Sequence, residues 1–219
     1  MGIMLSKPKD SIITSKSEFA YASVRNAIQT GELHPGQRIG PREMAEELGI
    51  SYTPVREAIT LLVNEGLVTR EPNKGTYVRN IDRTQIDQIY SLRLLLEPKA
   101  TGEAAEKSDR SVIANLEEML RGYRDAKGHT EVTFRNQDFH FAIYAAAQNQ
   151  PLFGLIKQLW TGLPLQAISL RGGDFQSQEE HAGIVAALAA GKAEVSYERM
   201  RAHIDAGYQR LLESLEERS

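Results

Sequence analysis

The sequence contains no cysteine. That one absence excludes disulfides, thiolate zinc sites, iron–sulfur ligation and thiol nucleophiles together. Aromatic residues make up only 7% of the chain, with a single tryptophan. Long apolar runs are missing as well. The longest stretch free of Asp, Glu, Lys and Arg, residues 139–156, contains Gln148, Asn149, Gln150 and Pro151, whereas a bilayer-spanning helix needs about 20 predominantly apolar residues. No membrane span is expected. Residues 1–10 carry Lys7 and Lys9 but no apolar stretch, so they do not make a secretory signal, and a cytoplasmic address is expected. An excess of basic charge is also lacking, since 26 Lys and Arg stand against 29 Asp and Glu for a net charge of −3. Charge alone therefore does not mark a nucleic-acid binder.

What the chain does hold is enough apolar residue, 41% of 219, to bury a core in one large or two small domains. The average charge hides a division. Residues 1–80 hold ten Lys and Arg against nine Asp and Glu, which leaves the rest acidic. The pattern of elements divides at the same place. Residues 16–30 read as a helix with Phe19, Ala22, Val24, Ala27 and Ile28 at helical spacing, closed by Gly31. A short second helix fits Pro41 to Leu48, with proline in its first turn and Gly49 as its stop. After Gly49, Ile50 and Ser51 a third begins, capped by Ser51 or Thr53. In it Val55, Ala58, Ile59, Leu62 and Val63 form one stripe at i, i+3, i+4, i+7 and i+8. Leu67 to Arg70 and Thr76 to Arg79 are β-compatible runs about a turn-rich Glu71–Gly75 segment, hence a small hairpin. Beyond Asn80 only helical patterns occur, at about 83–106, 109–126, 130–147, 151–170, 176–190 and 192–216. The expected fold is mostly α: a winged helix-turn-helix over 1–80, then a six-helix antiparallel bundle over 81–219.

On the third helix Thr53, Arg56 and Thr60 fall opposite the apolar stripe, and Tyr52 projects from its start. An arginine can bond a guanine edge bidentately and hydroxyls suit phosphate or a thymine methyl, so this face suits major-groove reading. A merely solvated polar face is the plainer alternative. In the second part, Asn136 and His140 stand at i and i+4 on one helix, while His181 and His203 lie on two others. Three neutral imidazoles converging inside a bundle suit a divalent transition metal; three unrelated buried histidines are the plainer reading. Asp138 does not join them easily, because two residues turn it about 200° from His140.

Residues 31–79 carry a resemblance, through Gly31, Leu33, Pro35 and Gly36, Pro41 to Ala45, Leu48 to Ala58, Glu65 to Val68 and Gly75 to Val78. They look like the winged-helix domain of GntR-family transcription regulators. The resemblance implies that Arg42 and Arg56 are main DNA contacts, that Lys74 and Gly75 form a wing tip entering the minor groove, and that Tyr52, Thr53 and Thr60 lie on the recognition surface. Tyr52 departs from the family, which usually has arginine there, so the operator sequence does not carry over. Asn136, Phe139, His140, Asn149, His181, Ile184, Ala187, Gly191, Met200, His203 and Ile204 resemble the ligand-sensing domain of the FadR subfamily, in its shorter VanR-like branch. That likeness implies a metal site of Asn136, His140, His181 and His203 for zinc, nickel or manganese, with Asn136 where the family usually has aspartate. It also implies a small carboxylic-acid effector. Arg93 and Tyr144 are candidate effector contacts, although an ion pair of Arg93 with Glu97 four residues on is as good a reading.

The expectation is a homodimeric regulator, acting as a repressor, on a palindromic double-stranded operator. Two other classes stand beside it. A metal-dependent hydrolase has the histidines, but no His-Glu-x-x-His pair, Gly-x-Ser-x-Gly elbow or phosphate loop accompanies them. A winged-helix protein-interaction module has the same scaffold without the DNA.

Overall fold

A computed structural model describes residues 15–72, 74–80, 82–126, 129–161 and 174–216. The chain divides into two compact units between Asp82 and Arg83.

In the first unit, α1 (Lys16–Thr30) opens on a capping box in which the Ser15 side chain accepts from the Glu18 amide and the Glu18 carboxylate takes the Ser15 amide. It ends at Gly31, whose φ of 76° is the left-handed conformation that glycine adopts without strain. A two-residue strand β1 (Arg38–Ile39) leads into α2 (Pro41–Leu48), and Gly49, at φ 66°, turns the chain towards α3 (Tyr52–Asn64). Ser51 is the N-cap residue of α3 but makes no side-chain cap bond. Strands β2 (Val68–Glu71) and β3 (Gly75–Val78) form the hairpin, and the sheet order is β1-β3-β2, all antiparallel.

The hairpin is shifted one residue towards its turn relative to the sequence expectation, because Glu71 pairs with Gly75 and closes it. Strand β1 carries no sequence signal, since two residues between a Pro35–Gly36 turn and Pro41 cannot show alternation. Val24, Ile28, Leu33, Ile39, Met44, Val55, Ile59, Leu62, Leu67 and Val78 meet in one buried core, so the predicted stripe of α3 faces inward.

The second unit is helical throughout its described residues: α4 (Arg83–Lys107), α5 (Arg110–Asp125), α6 (His129–Ala146), α7 (Gln150–Thr161), α8 (Asp174–Ala189) and α9 (Ala193–Glu216). The expected helix over 151–170 is described as far as Thr161, and its remainder lies outside the described residues. Asp109 caps α5 by accepting from the Ser111 and Val112 amides. Helix α4 packs on α9, α6 and α7, α5 packs on α6 and α8, and α8 packs on α9. Buried side chains come from all six helices, among them Leu116 and Tyr123 of α5 and Ile156 and Trp160 of α7. No described helix is long and apolar enough to cross a membrane.

Candidate functional site

The first unit presents a recognition surface. Val55, Ala58, Ile59 and Leu62 are buried beneath α3, which leaves Thr53, Arg56 and Thr60 exposed on its other side. Tyr52, at the first position of the helix, is 45% exposed. The Thr60 hydroxyl donates back to the Arg56 carbonyl at 2.8 Å, so it offers a partner acceptance rather than donation. Arg42 is exposed in the first turn of α2. At the wing, Lys74 pairs with Glu71 at 3.3 Å, and Gly75 sits at φ 128°. A side chain at Gly75 would be strained by that backbone, and its Cβ would meet Arg38 Nε at 3.1 Å.

Arg38 is thus a basic group at the wing tip that sequence reasoning missed. It reaches the tip only because β1 pairs with β3, Arg38 opposite Tyr77, and no local spacing signals that pairing.

The second unit holds a buried cluster. His140 from α6, His181 from α8 and His203 from α9 meet with their Nε2 atoms in a triangle: 3.2 Å from His140 to His181, 3.2 Å from His140 to His203 and 3.3 Å from His181 to His203. These histidines are 1%, 0% and 9% exposed, so three rings face one another away from water. Burial, with the neighbouring histidines and Arg93, pushes His140 well below the ordinary histidine pKa. Burial, with His203 and Arg210, does the same to His181. Both are therefore neutral and bear lone pairs at neutral pH. Among the described residues these three form the group able to hold a metal ion. Asn136 is buried one helical turn before His140. Phe139 packs beside His181 with ring centroids at 4.7 Å, and Trp160 beside His140 at 5.2 Å.

A charged layer surrounds the triad. The outer nitrogen of His203, Nδ1, lies 2.6 Å from Glu180 Oε2, and Arg210 holds the same carboxylate through Nη1 and Nη2 at 3.1 and 3.3 Å. Burial alone would raise the Glu180 pKa, but the bonds to His203 and Arg210 outweigh it and hold it below the usual value. On the other side His140 Nδ1 lies 3.0 Å from Tyr144 Oη, whose hydroxyl donates to Glu97 Oε2 at 2.5 Å. Trp160 Nε1 donates to Glu97 Oε1 at 2.9 Å, and Arg93 Nε donates to the same oxygen at 2.6 Å. The ion pair of Arg93 with Glu97 is present, and the guanidinium also lies over the rings of Tyr90 and Trp160. Tyr144 is fully buried and touches the triad through its oxygen. Sequence reasoning missed Glu180 and Arg210, which lie 30 residues apart on different helices, where no spacing rule links them.

The model of the family described as "Bacterial regulatory proteins, gntR family" matches residues 16–78, and that described as "FCD domain" matches residues 88–206. The Nta operon transcriptional regulator of Aminobacter aminovorans is 30% identical over 186 residues, 82% of this chain and 86% of that protein. The HTH-type transcriptional regulator McbR of Escherichia coli (strain K12) is 34% identical over 140 residues, 63% of each chain. The solved structure of E. coli McbR/YncC superposes with a TM-score of 0.80 at 25% identity, covering 92% of this chain and 99% of that one.

Proposed function

Because the chain belongs to the GntR family of bacterial regulatory proteins, with an FCD domain behind its winged helix-turn-helix, it is a DNA-binding transcriptional regulator, and we propose that it senses a small carboxylic acid through a divalent metal ion at the histidine triad. Its relatives are regulators and not enzymes, so the hydrolase alternative falls.

The observation that carries the metal reading is the Nε2 triangle. Neutral imidazoles pair through one N–H and one lone pair, and three nitrogens all within 3.3 Å of each other cannot be satisfied by that exchange. A cation bound at about 2.0 to 2.1 Å by each nitrogen would set them about 3.0 to 3.4 Å apart, so the donors fit. His181 Nδ1 is a buried polar atom without a hydrogen-bond partner among the described residues, so none of these competes for the ring. His140, His181 and His203 would hold the ion, with the amide oxygen of Asn136 as the fourth protein donor. Zinc, nickel and manganese are the candidate metals. The ion would supply positive charge and open positions for a carboxylate's oxygens. With Arg93 tied to Glu97, that charge and the Tyr144 side of the cavity are what would recognise the acid.

On the DNA side, Arg42, Tyr52, Thr53, Arg56 and Thr60 would meet base edges and phosphates, and Lys74 with Gly75 would form the minor-groove tip of the wing. One such head offers too little contact for specific affinity, so a homodimer on a palindromic operator follows. The acid acts to the extent that it binds one arrangement of the two heads better than another; repression is the expected mode.

The test pairs two measurements on the full chain. Chelator-stripped protein titrated with zinc, nickel and manganese should gain thermal stability with at least one of them. Fluorescence anisotropy on the DNA upstream of its own gene, at two salt concentrations, should show salt-dependent binding that candidate carboxylates alter in the metal-loaded protein. Stability unmoved by all three metals would remove the metal reading. Salt-independent or absent binding would point instead to a protein-interaction role for the winged helix.

A further inference from the structure

A histidine ligates through one nitrogen only when its proton sits on the other, and what the other nitrogen meets sets which tautomer is present. At His203 the outer nitrogen faces a carboxylate, Glu180 Oε2 at 2.6 Å. A carboxylate only accepts, so His203 carries a proton on Nδ1, and in the neutral ring, the form a metal ion requires, Nε2 is bare. At His140 the outer nitrogen faces a hydroxyl, which can accept or donate. The Tyr144 hydroxyl has one hydrogen, and Glu97 Oε2 at 2.5 Å takes it, because an ionised acceptor wins over a neutral one. Arg93 and Trp160 both donate to the other oxygen of Glu97, which leaves Oε2 to accept from Tyr144. The Tyr144 oxygen then accepts from His140 Nδ1–H, and His140 Nε2 is bare as well. At His181 neither applies: Nδ1 is buried and has no hydrogen-bond partner among the described residues.

We infer, resting on the metal-binding reading of the triad, that Glu97 acting through Tyr144 and Glu180 acting directly are positioning residues. They lock His140 and His203 with bare Nε2 atoms facing the centre and leave His181 as the one ring free to change tautomer. In the metal-free protein three bare nitrogens 3.2 to 3.3 Å apart would repel, so His181 places its proton on Nε2 and bridges to a neighbour. Metal entry then moves that proton to Nδ1. The number of bound protons is unchanged, and the site is two-thirds prepared before the ion arrives. Glu97 and Glu180 come from α4 and α8, so the two locks are independent of each other. Arg210 steadies the second as Arg93 steadies the first.

The test uses the full chain, labelled with nitrogen-15, stripped by chelator and then titrated with zinc, with histidine-ring tautomers read from long-range proton–nitrogen correlation spectra. His140 and His203 should be Nδ1-protonated before zinc, and His181 should be Nε2-protonated before zinc and Nδ1-protonated after. Glu180→Gln, whose amide can turn its NH2 towards His203, should convert that ring to the Nε2–H form and weaken zinc binding by about 10- to 100-fold, while Glu180→Asp restores both. Glu97→Gln strands a buried arginine and can fail to fold. Tyr144→Phe therefore tests the other lock: His140 should lose its fixed tautomer while His203 keeps its own. Nε2-protonated His140 or His203 in the stripped wild type, or a Glu180→Gln protein with unchanged tautomer and zinc affinity, would overturn the inference. Wild-type tautomers as stated in a protein that takes up no zinc would instead overturn the metal reading and leave the two locks standing.

Discussion

Arg93 and Glu97 face each other across one turn of α4, Nε to Oε1 at 2.6 Å, with the carboxylate wholly buried and the guanidinium side chain 11% exposed. Burial opposes the arginine's charge, and the carboxylate more than offsets it, raising the Arg93 pKa above its ordinary value. Removing one partner leaves an uncompensated buried charge, which costs about 3 to 5 kcal/mol, whereas removing both costs much less. Arg93→Met should therefore lower unfolding stability in urea by that amount, and Arg93→Met with Glu97→Gln should recover part of the loss. A single variant less damaging than the double would contradict a pair whose members exist to compensate one another.

A second brace lies in the DNA-binding unit, where the Tyr21 hydroxyl of α1 donates to Glu65 at the end of α3 at 2.7 Å. Burial and then the bond to Glu65 push the Tyr21 pKa up to about 12. Tyr21→Phe should cost about 0.5 to 1.5 kcal/mol near neutral pH. Because the folded value lies above the unfolded one, the wild-type advantage is complete below about pH 10 and shrinks as pH rises from about 10 towards 12. Denaturation of both proteins at about pH 8 and about pH 11, on either side of the unfolded tyrosine value, checks this; an advantage that grows with pH would show the hydroxyl ionised in the fold.

These two braces mark where the sequence stops being informative. Val55, Ile59 and Leu62 at helical spacing, and Gly49 as the stop of the helix before, are local signals, and they place α3 and its buried face. The histidines are visible as residues on three helices, but spacing leaves three unrelated buried rings equally open. Resemblance to a family, not periodicity, joins His140, His181 and His203. Tyr144 with Glu97, 47 residues apart, and Arg210 with Glu180, 30 apart, are brought together by helix packing, which a linear pattern does not encode. Arg38 escapes notice for the same reason, since its position follows from a two-residue strand.

Arg56 and Arg38 should differ in how their removal weakens DNA binding. Arg56 lies on the exposed side of α3, and if it reads a base or phosphate as proposed, Arg56→Ala should cost about 1 to 3 kcal/mol per half-site and alter sequence preference. Arg38 lies against Gly75 at the wing turn, where Lys74 is already paired with Glu71. Arg38→Ala should weaken operator and unrelated DNA alike, and should lower the log–log salt slope by about 0.9 for each phosphate that is no longer neutralised. Anisotropy titrations over a series of salt concentrations separate the two. An unchanged slope for Arg38→Ala would remove it from the interface.

Asn136 is where the proposed site differs from one whose fourth donor is a carboxylate. An amide oxygen accepts a cation without bringing charge, so three imidazoles and one amide leave a divalent ion with its full +2 to share with an anionic effector. Asn136→Asp adds a carboxylate on nearly the same side chain, one turn from His140 on a buried face of α6. Zinc should then bind more tightly, on the order of tenfold for about 1.4 kcal/mol of added attraction. A small carboxylate should bind the zinc-loaded variant more weakly, because one of the two positive charges it would meet is already neutralised. Calorimetric titration of zinc into both stripped proteins, followed by a carboxylate series into both loaded ones, measures the two effects separately. Tighter zinc together with weaker acid is the expected result. Zinc affinity left unchanged by the substitution would place Asn136 outside the coordination sphere and restrict the ligand set to the three histidines.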